Sequence, residues 1–484
     1  MKIHNIRYGF ATNSSSSHSI VVGANPAFDQ DAYGDFGWQN FIAVSPEAKL
    51  RWFAAHFNGY GNDLFPNDPA SQAKREILKF TDGQIEEYKD DYVDHQSNFC
   101  LSNYFVDDDF KDFVADFKAF LLRPDVSIYG GNDNDDNDIT PTDAQKFEVL
   151  DRVTDLGSET QMRVRKEGDY YTLFNSSSGF KIRMSFSDSP NWEKSRSPEL
   201  VDLKISDYCP YGCEFCYQGS TKEGKHAPLE RIKKIIDTLS ETGVFEVAIG
   251  GGEPTEHPNF VEIIQYCHEK GIIPNFTTFS TKWLTDDEMV SAVRKYCRGV
   301  GVSVHSAKNM GKITKIKETL SSGYYSGVTV MAQHVVGSIS VDELYKLVQE
   351  CLDNGIQLLL LGFKTTGFGS SGPQYNIQPS ELGTVIQIMK DASKRYWFFG
   401  DDAGSRTFVP VTLSIDTQII SLYKEVLEQC SINPNLLSSP EGKFSCYWDA
   451  VENKVAKSSY CDKDEFFTIP EINKDQFLSI FEKF

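Results

Sequence analysis

Cys209, Cys213 and Cys216, clustered in the run DYCPYGCEFCYQG from Asp207 to Gly219, are the residues whose type and spacing best suit chemistry. Two thiols separated by two residues can grip one metal, and a third in the preceding turn completes a three-thiolate face. Thiolates favour soft metals, which leaves zinc or an iron–sulfur cluster. A structural zinc site wants four closed protein ligands, and the next candidate, His226, lies on a short polar stretch rather than at ribbon-like spacing. A cubane cluster held by three cysteines leaves one iron open to a ligand, and this is the preferred reading. Its alternative is a zinc-stabilised binding protein without catalysis.

The elements that must position these thiols change character along the chain. From Glu199 onward, short apolar strands alternate with amphipathic helices, as in repeated β–α units around a parallel sheet. Strands are expected at 200–206, 244–250, 272–280, 300–306, 327–336 and 356–363. Between them, LERIKKIIDTL presents Leu229, Ile232, Ile235, Ile236 and Leu239 at helical spacing, and NFVEIIQYCHEKG ends at Gly271, a residue suited to the position after a helix. TDDEMVSAVRKYC and SVDELYKLVQECLDNG read as further helices. In such sheets ligands collect at the carboxyl ends of the strands, which is where the cysteine run falls.

The chain of 484 residues is long enough for two or three folding units. Its 48 basic and 69 acidic side chains give a net charge of −21, which opposes non-specific attraction to nucleic acid or to anionic lipid. No uninterrupted apolar run is long enough to span a bilayer, and the N-terminus lacks the apolar core of a secretory signal, so a cytoplasmic protein without nucleic-acid or membrane partners is expected. Cys100, Cys267, Cys297 and Cys351 read as small buried apolar residues.

CPYGCEFC resembles the CxxxCxΦC loop of the radical S-adenosylmethionine (SAM) superfamily, with Phe215 in the aromatic place, and GGGEP (Gly250 to Pro254) resembles that family's GGEP motif at the end of the second strand. The resemblance covers Glu199 to Gly372. It implies that Cys209, Cys213 and Cys216 hold a [4Fe–4S] cluster whose open iron is chelated by SAM, and that Gly251, Gly252 and Glu253 meet the methionine amino end. Glycines allow close backbone approach, and Glu253 or neighbouring carbonyls can accept from an amine. The family's Ser-x-Asp or Ser-x-Asn pair on the fourth strand is Ser303-Val304-His305 in this chain; Ser303 would face the ribose, while His305 would replace the usual partner, face substrate or sit in the core. Thr278, Ser280 and Gln333 end strands that would line the same pocket, and Phe215, Tyr217, Gly362 and Phe363 would pack on adenine. The resemblance further implies reductive SAM cleavage to a 5′-deoxyadenosyl radical that removes a hydrogen atom from substrate, with a flavodoxin or ferredoxin as electron donor. No residue is singled out as a catalytic group beyond these contacts.

The expected architecture is therefore α/β: a partial (β/α)6 barrel at 199–372, an α+β accessory region at 1–198 and a small extension at 373–484. In the N-terminal region, helices are expected at 45–57, 71–80 and 108–122, a solvated loop at 129–143 in preference to a calcium loop, an antiparallel meander at 162–186 and a linker at 189–198. The serine run GFATNSSSSHS (Gly9 to Ser19) reads as a flexible polar segment. In the extension, Cys446 and Cys461 flank a hairpin-like stretch that resembles part of the SPASM domain of peptide-modifying members. With Cys430 it reaches only three cysteines, too few for a full auxiliary cluster, and the hairpin is expected to cover the open side of the barrel. These features favour a peptide or protein substrate over a small-molecule or nucleotide-derived one.

Overall fold

The computed structural model describes residues 2–7, 16–22, 31, 41–58, 109–132, 148–151, 162–176, 179, 181–186, 191, 193–321, 328–372, 374–375, 377–393, 397–400, 406–409, 413–430 and 441–484. It divides into two compact units, Met1–Glu193 and Lys194–Phe484. The expected helix at 71–80, most of the 129–143 loop and Cys100 lie outside the described residues.

The first unit holds two four-stranded antiparallel sheets. One contains the expected meander, Met162–Lys166, Tyr171–Asn175 and Lys181–Ser185, with Lys2–Arg7 added at its edge. In the other, Ser16–Val22 pairs with Val126–Asn132 and Glu148–Asp151. The serine run is thus strand from Ser16, because the β-branched stretch Ile20-Val21-Val22 continues the same ladder; its residues 9–15 lie outside the described set. Helices Pro46–Asn58 and Asp109–Leu121 form as expected and bury Trp52, Phe53, Phe113, Phe117 and Phe120 in one aromatic core, with Phe113 edge-on to Tyr171 at 5.3 Å.

In the second unit the six expected strands are β1 (Leu200–Ser206), β2 (Glu246–Gly251), β3 (Ile273–Thr278), β4 (Gly299–Ser303), β5 (Thr329–Val335) and β6 (Gln357–Leu361), paired in parallel in sequence order. With right-handed crossovers, a monotonic order puts every connecting helix on one face and leaves the other as a lumen. The side chains obey this alternation. Val201, Leu203, Ile205, Val247, Ile249, Val300 and Val302 join the core against the helices, and helix Leu229–Glu241 buries Ile232, Ile235, Ile236 and Leu239 there, each contributing about 1.5–3 kcal/mol.

The parallel sheet runs beyond the six repeats at both edges. Strand β7 (Leu413–Ile415) pairs with β6, and β8 (Ser445–Asp449) pairs with β1, followed by antiparallel β9 (Lys454–Ala456) and β10 (Phe467–Thr468). The hairpin around Cys446 does form, and it extends the sheet beside β1. Cys446 and Cys430 lie in the apolar core, as do Cys267, Cys297 and Cys351. The boundary between the two units falls within the expected linker, and its end is tied down: Ser195 N–H donates to the Lys443 carbonyl and Ser197 Oγ to the Thr242 carbonyl, stitching the entry of β1 to both its neighbours. Helix Met310–Ser321 after β4 was not expected, although Met310, Ile313, Ile316 and Leu320 carry a buried stripe. Among the described residues no helix is long and apolar enough to cross a membrane.

Candidate active site

Strand β1 ends at Ser206, and the chain then makes a long excursion that returns through bridges from Ser206 to His226 and from Tyr208 to Thr221. Within it, Cys209 N–H donates to the Thr221 carbonyl at 2.8 Å and Cys216 N–H to the Cys213 carbonyl at 3.1 Å, so the thiols sit on tight turns. All three are free and half-buried. Burial pushes the Cys213 thiol up to about 11, and the neighbouring Cys216 and Cys209 push in the same direction. Burial raises the Cys209 thiol as well. The neighbourhood of Cys209 and Cys213 therefore disfavours bare thiolates and would favour them against a bound metal. Among the described residues no set of three or more His, Cys, Asp or Glu side chains is gathered tightly enough to hold a single metal ion.

The glycine run at the end of β2 pins this excursion. Gly252 N–H donates to the Ser206 carbonyl at 2.7 Å and Glu253 N–H to the Tyr208 carbonyl at 2.8 Å. A Cβ on Gly252 would stand 1.9 Å from the Tyr208 oxygen, so no other residue fits there. A second clasp comes from the segment after β6: Phe368 N–H donates to the Cys216 carbonyl at 2.9 Å and Thr366 Oγ1 to the Tyr217 carbonyl at 3.2 Å. Gly367, at φ +55, is pressed against the same two carbonyls, where a Cβ would come within 2.7 Å of both. This clasp was not read from the sequence; the TTGFGSSG composition carried the signal of a close backbone approach.

Several expected site residues turn out to serve one another. Glu253 is buried, and its carboxylate accepts from Thr255 N–H and Oγ1, Thr278 Oγ1, Phe279 N–H and Ser280 N–H. The side chain thus ties β2 to the end of β3. Burial still raises its pKa, against those hydrogen bonds. Thr278 and Ser280 are likewise buried in this turn. Gln333 lies across Gly301 of β4 and accepts from Thr277 Oγ1 of β3 at 3.2 Å, inside the lumen and in register with Ser303. Asn275 on the same face of β3 donates to Glu246 at 3.2 Å. The lumen is accordingly polar.

His305 follows β4 and points at the cysteines, its Nε2 3.5 Å from Cys213 Sγ. Phe279 stacks on the imidazole at 4.7 Å and Phe215 meets it edge-on at 4.9 Å. Burial, with His334 and Lys312 nearby, lowers its pKa to about 4. Phe215 thus packs on His305, and Tyr217 is engaged by Ser459 and Lys364. The Tyr217 hydroxyl accepts from Ser459 Oγ, and its ring lies 4.6 Å from Lys364 Nζ. Gly362 N–H donates to Asp416 at 3.0 Å, and Phe363 is buried beside a 260 Å³ pocket that Gly362, Val336 and Tyr423 also line.

Between β7 and β8, the strands that flank the six repeats, a charged cluster forms a seam, where Thr417 Oγ1 donates to Glu441. Lys364 Nζ lies 4.6 Å from the rings of both Tyr217 and Tyr460; burial lowers its pKa, but Tyr217, Asp416, Asp202 and Tyr460 together keep it raised, and Lys364 in turn lowers that of the Glu441 carboxyl against burial. Burial, and then Glu441, push the Asp202 carboxyl from its usual 3.8 up to about 7. Between those two values the folded protein keeps a proton that the unfolded chain has released. The stability this one group contributes is therefore fully present below about pH 4 and is lost as pH rises towards 7, by at most about 1.4 kcal/mol per unit. Asp202→Asn is expected to flatten that slope; denaturant midpoints of both proteins at pH 5 and pH 8 measure it, and an unchanged slope would refute the assignment.

Comparison with known proteins bears on this geometry directly. Residues 203–365 match the family model of the Radical SAM superfamily. A PqqA peptide cyclase of Bradyrhizobium diazoefficiens is 33% identical over 83 residues, 17% of this chain and 22% of the relative. An S-adenosylmethionine-dependent nucleotide dehydratase of Selenomonas ruminantium is 26% identical over 147 residues, 29% of this chain and 53% of the relative. The chain thus spans between about a fifth and a half of the length of these curated relatives. Among solved structures, Streptococcus suis SuiB bound to S-adenosylmethionine aligns with a TM-score of 0.45 at 14% identity, covering 61% of this chain and 81% of that one. Residues 203–365 are a radical SAM domain, with the α/β parallel sheet expected of one.

Proposed function

We propose that this chain is a cytoplasmic oxidoreductase of the radical SAM type, acting on a peptide or protein. Cys209, Cys213 and Cys216 hold a [4Fe–4S] cluster, and a flavodoxin or ferredoxin supplies the electron. When bound, the cluster and SAM supply reductive cleavage of the C5′–S bond and a 5′-deoxyadenosyl radical that takes a hydrogen atom from substrate. The chain's own part is positional. Backbone at Gly251 and Gly252 receives the methionine amino end, Ser303 faces the ribose, and Gly362 and Phe363 offer the adenine wall. Glu253, Thr278 and Ser280 hold the β2 and β3 ends in place. The clasp at Thr366–Phe368 and the Lys364 seam keep water from the lumen side of the site.

The observation that carries this reading is the pinning of one three-thiol loop between the Gly252 turn and the Gly367 clasp, above a polar lumen. The similarity to a peptide cyclase supports a peptide substrate. The longer similarity to a nucleotide dehydratase favours, as the second reading, the same chemistry on a nucleotide-derived substrate. Anaerobic reconstitution followed by dithionite and SAM tests the proposal. A brown protein with about four irons and four sulfides that forms 5′-deoxyadenosine is expected, whereas a colourless protein with one zinc would refute it. Deuterium transfer into 5′-deoxyadenosine from labelled peptides against labelled nucleotides separates the substrate classes.

A further inference from the structure

The imidazole after β4 has little freedom. Val304 N–H donates to the Gln333 carbonyl at 2.9 Å and the Val304 carbonyl meets His334 Nδ1 at 2.8 Å, so the backbone entering His305 is fixed to β5. His305 N–H donates to Asn309 Oδ1 at 3.3 Å. Phe279 covers one ring face, and it is itself backed by Lys312, whose Nζ stands 3.2 Å from the Phe279 ring centre and donates to the Phe279 carbonyl at 3.2 Å. Phe215, in the cysteine loop, closes a further side. What remains directed at a polar partner is Nε2, facing Cys213 Sγ at 3.5 Å.

A thiol can meet an imidazole nitrogen as donor or acceptor, but a metal-bound thiolate offers only lone pairs. The pair stays attractive after metal loading only if Nε2 carries the proton. We propose that His305 donates a hydrogen bond from Nε2 to the cluster-bound sulfur of Cys213, making it a positioning residue that holds this ligand and raises the cluster's reduction potential. This rests on the proposed cluster at the three cysteines. An N–H aimed at a ligand sulfur stabilises the more negative, reduced cluster more than the oxidised one, so removing it lowers the potential. The role differs from the ribose contact that the strand position suggests, and it accounts for a histidine at a place where a short polar side chain would not reach the sulfur.

The test uses the full chain, reconstituted anaerobically without SAM, and follows the reduced cluster by electron paramagnetic resonance against solution potential. His305→Phe keeps an aromatic ring between Phe215 and Phe279 but removes the donor. At a fixed low potential its ratio of reduced to oxidised cluster is expected to fall about tenfold, equivalent to ~59 mV for one electron, with iron content unchanged. His305→Gln, which keeps an N–H, is expected to recover part of the shift. A His305→Phe protein with full iron and an unshifted midpoint overturns the proposal. Should that variant fail to hold iron, wild-type protein labelled with 15N-histidine decides: a weak 15N coupling to the reduced cluster supports the bond, and no coupling overturns it. A wild-type chain that takes up no iron would overturn the cluster assignment itself, an outcome distinct from an unshifted midpoint.

Discussion

Cys213→Ala protein, reconstituted beside wild type, is expected to hold well under four irons and to form no 5′-deoxyadenosine above background. Its denaturation midpoint should stay within about 1 kcal/mol of wild type. The asymmetry follows from where the residue sits. Cys213 lies half-buried on a loop beyond β1, and its side-chain contact is to His305, so its loss removes a ligand without opening the core. The two remaining thiols cannot hold a cubane, the less so because burial disfavours the thiolate of Cys209. Cys297→Ala is the matched control. That thiol is fully buried among apolar side chains, its pKa raised by burial, so truncation is expected to cost about 1 kcal/mol and leave iron content untouched. Retained SAM cleavage in Cys213→Ala would contradict the proposed chemistry outright.

How much of this was legible in the sequence depended on the range of the interactions involved. The cysteine spacing and the glycine run are local patterns, and both fall at strand ends, because the backbone geometry they need is itself local. The six β–α repeats declared themselves through period and punctuation for the same reason. Pairing between distant segments left no comparable mark. Nothing in SCYWD says that it will lie in parallel beside LVDLKIS some 245 positions earlier, as the Lys204–Asp449 contact shows it does. The roles of Glu253 and Tyr217 were also hidden, since a polar residue at a strand end reads alike whether it faces a ligand or satisfies its neighbours. Glu253 accepts from five protein donors, a fact that only the placement of Thr278, Phe279 and Ser280 reveals.

That distant pairing has a consequence for the site. Lys204, near the end of β1, is buried with Asp449 of β8 at 3.1 Å and also pairs with Asp207, and these two carboxylates keep its pKa raised against burial. Asp449 also shapes the turn from β8 to β9, where its other oxygen accepts from Val451 N–H and Glu452 N–H, each at 2.9 Å. Asp449→Ala is therefore expected to destabilise the second unit by about 3–5 kcal/mol, the cost of leaving a buried lysine short of its partner together with two unaccepted turn amides. Asp449→Asn keeps an oxygen for the turn and should cost clearly less. Because Ser206, two residues beyond Lys204, receives the Gly252 N–H, a loosened β1 end should also lower iron retention in Asp449→Ala, although no cysteine has been changed. Denaturant midpoints and iron content of the two variants measure both effects. A midpoint for Asp449→Ala within about 0.5 kcal/mol of wild type would show that β8 is an appendage, whereas the expected loss makes β8 a working part of the barrel that carries the cysteine loop.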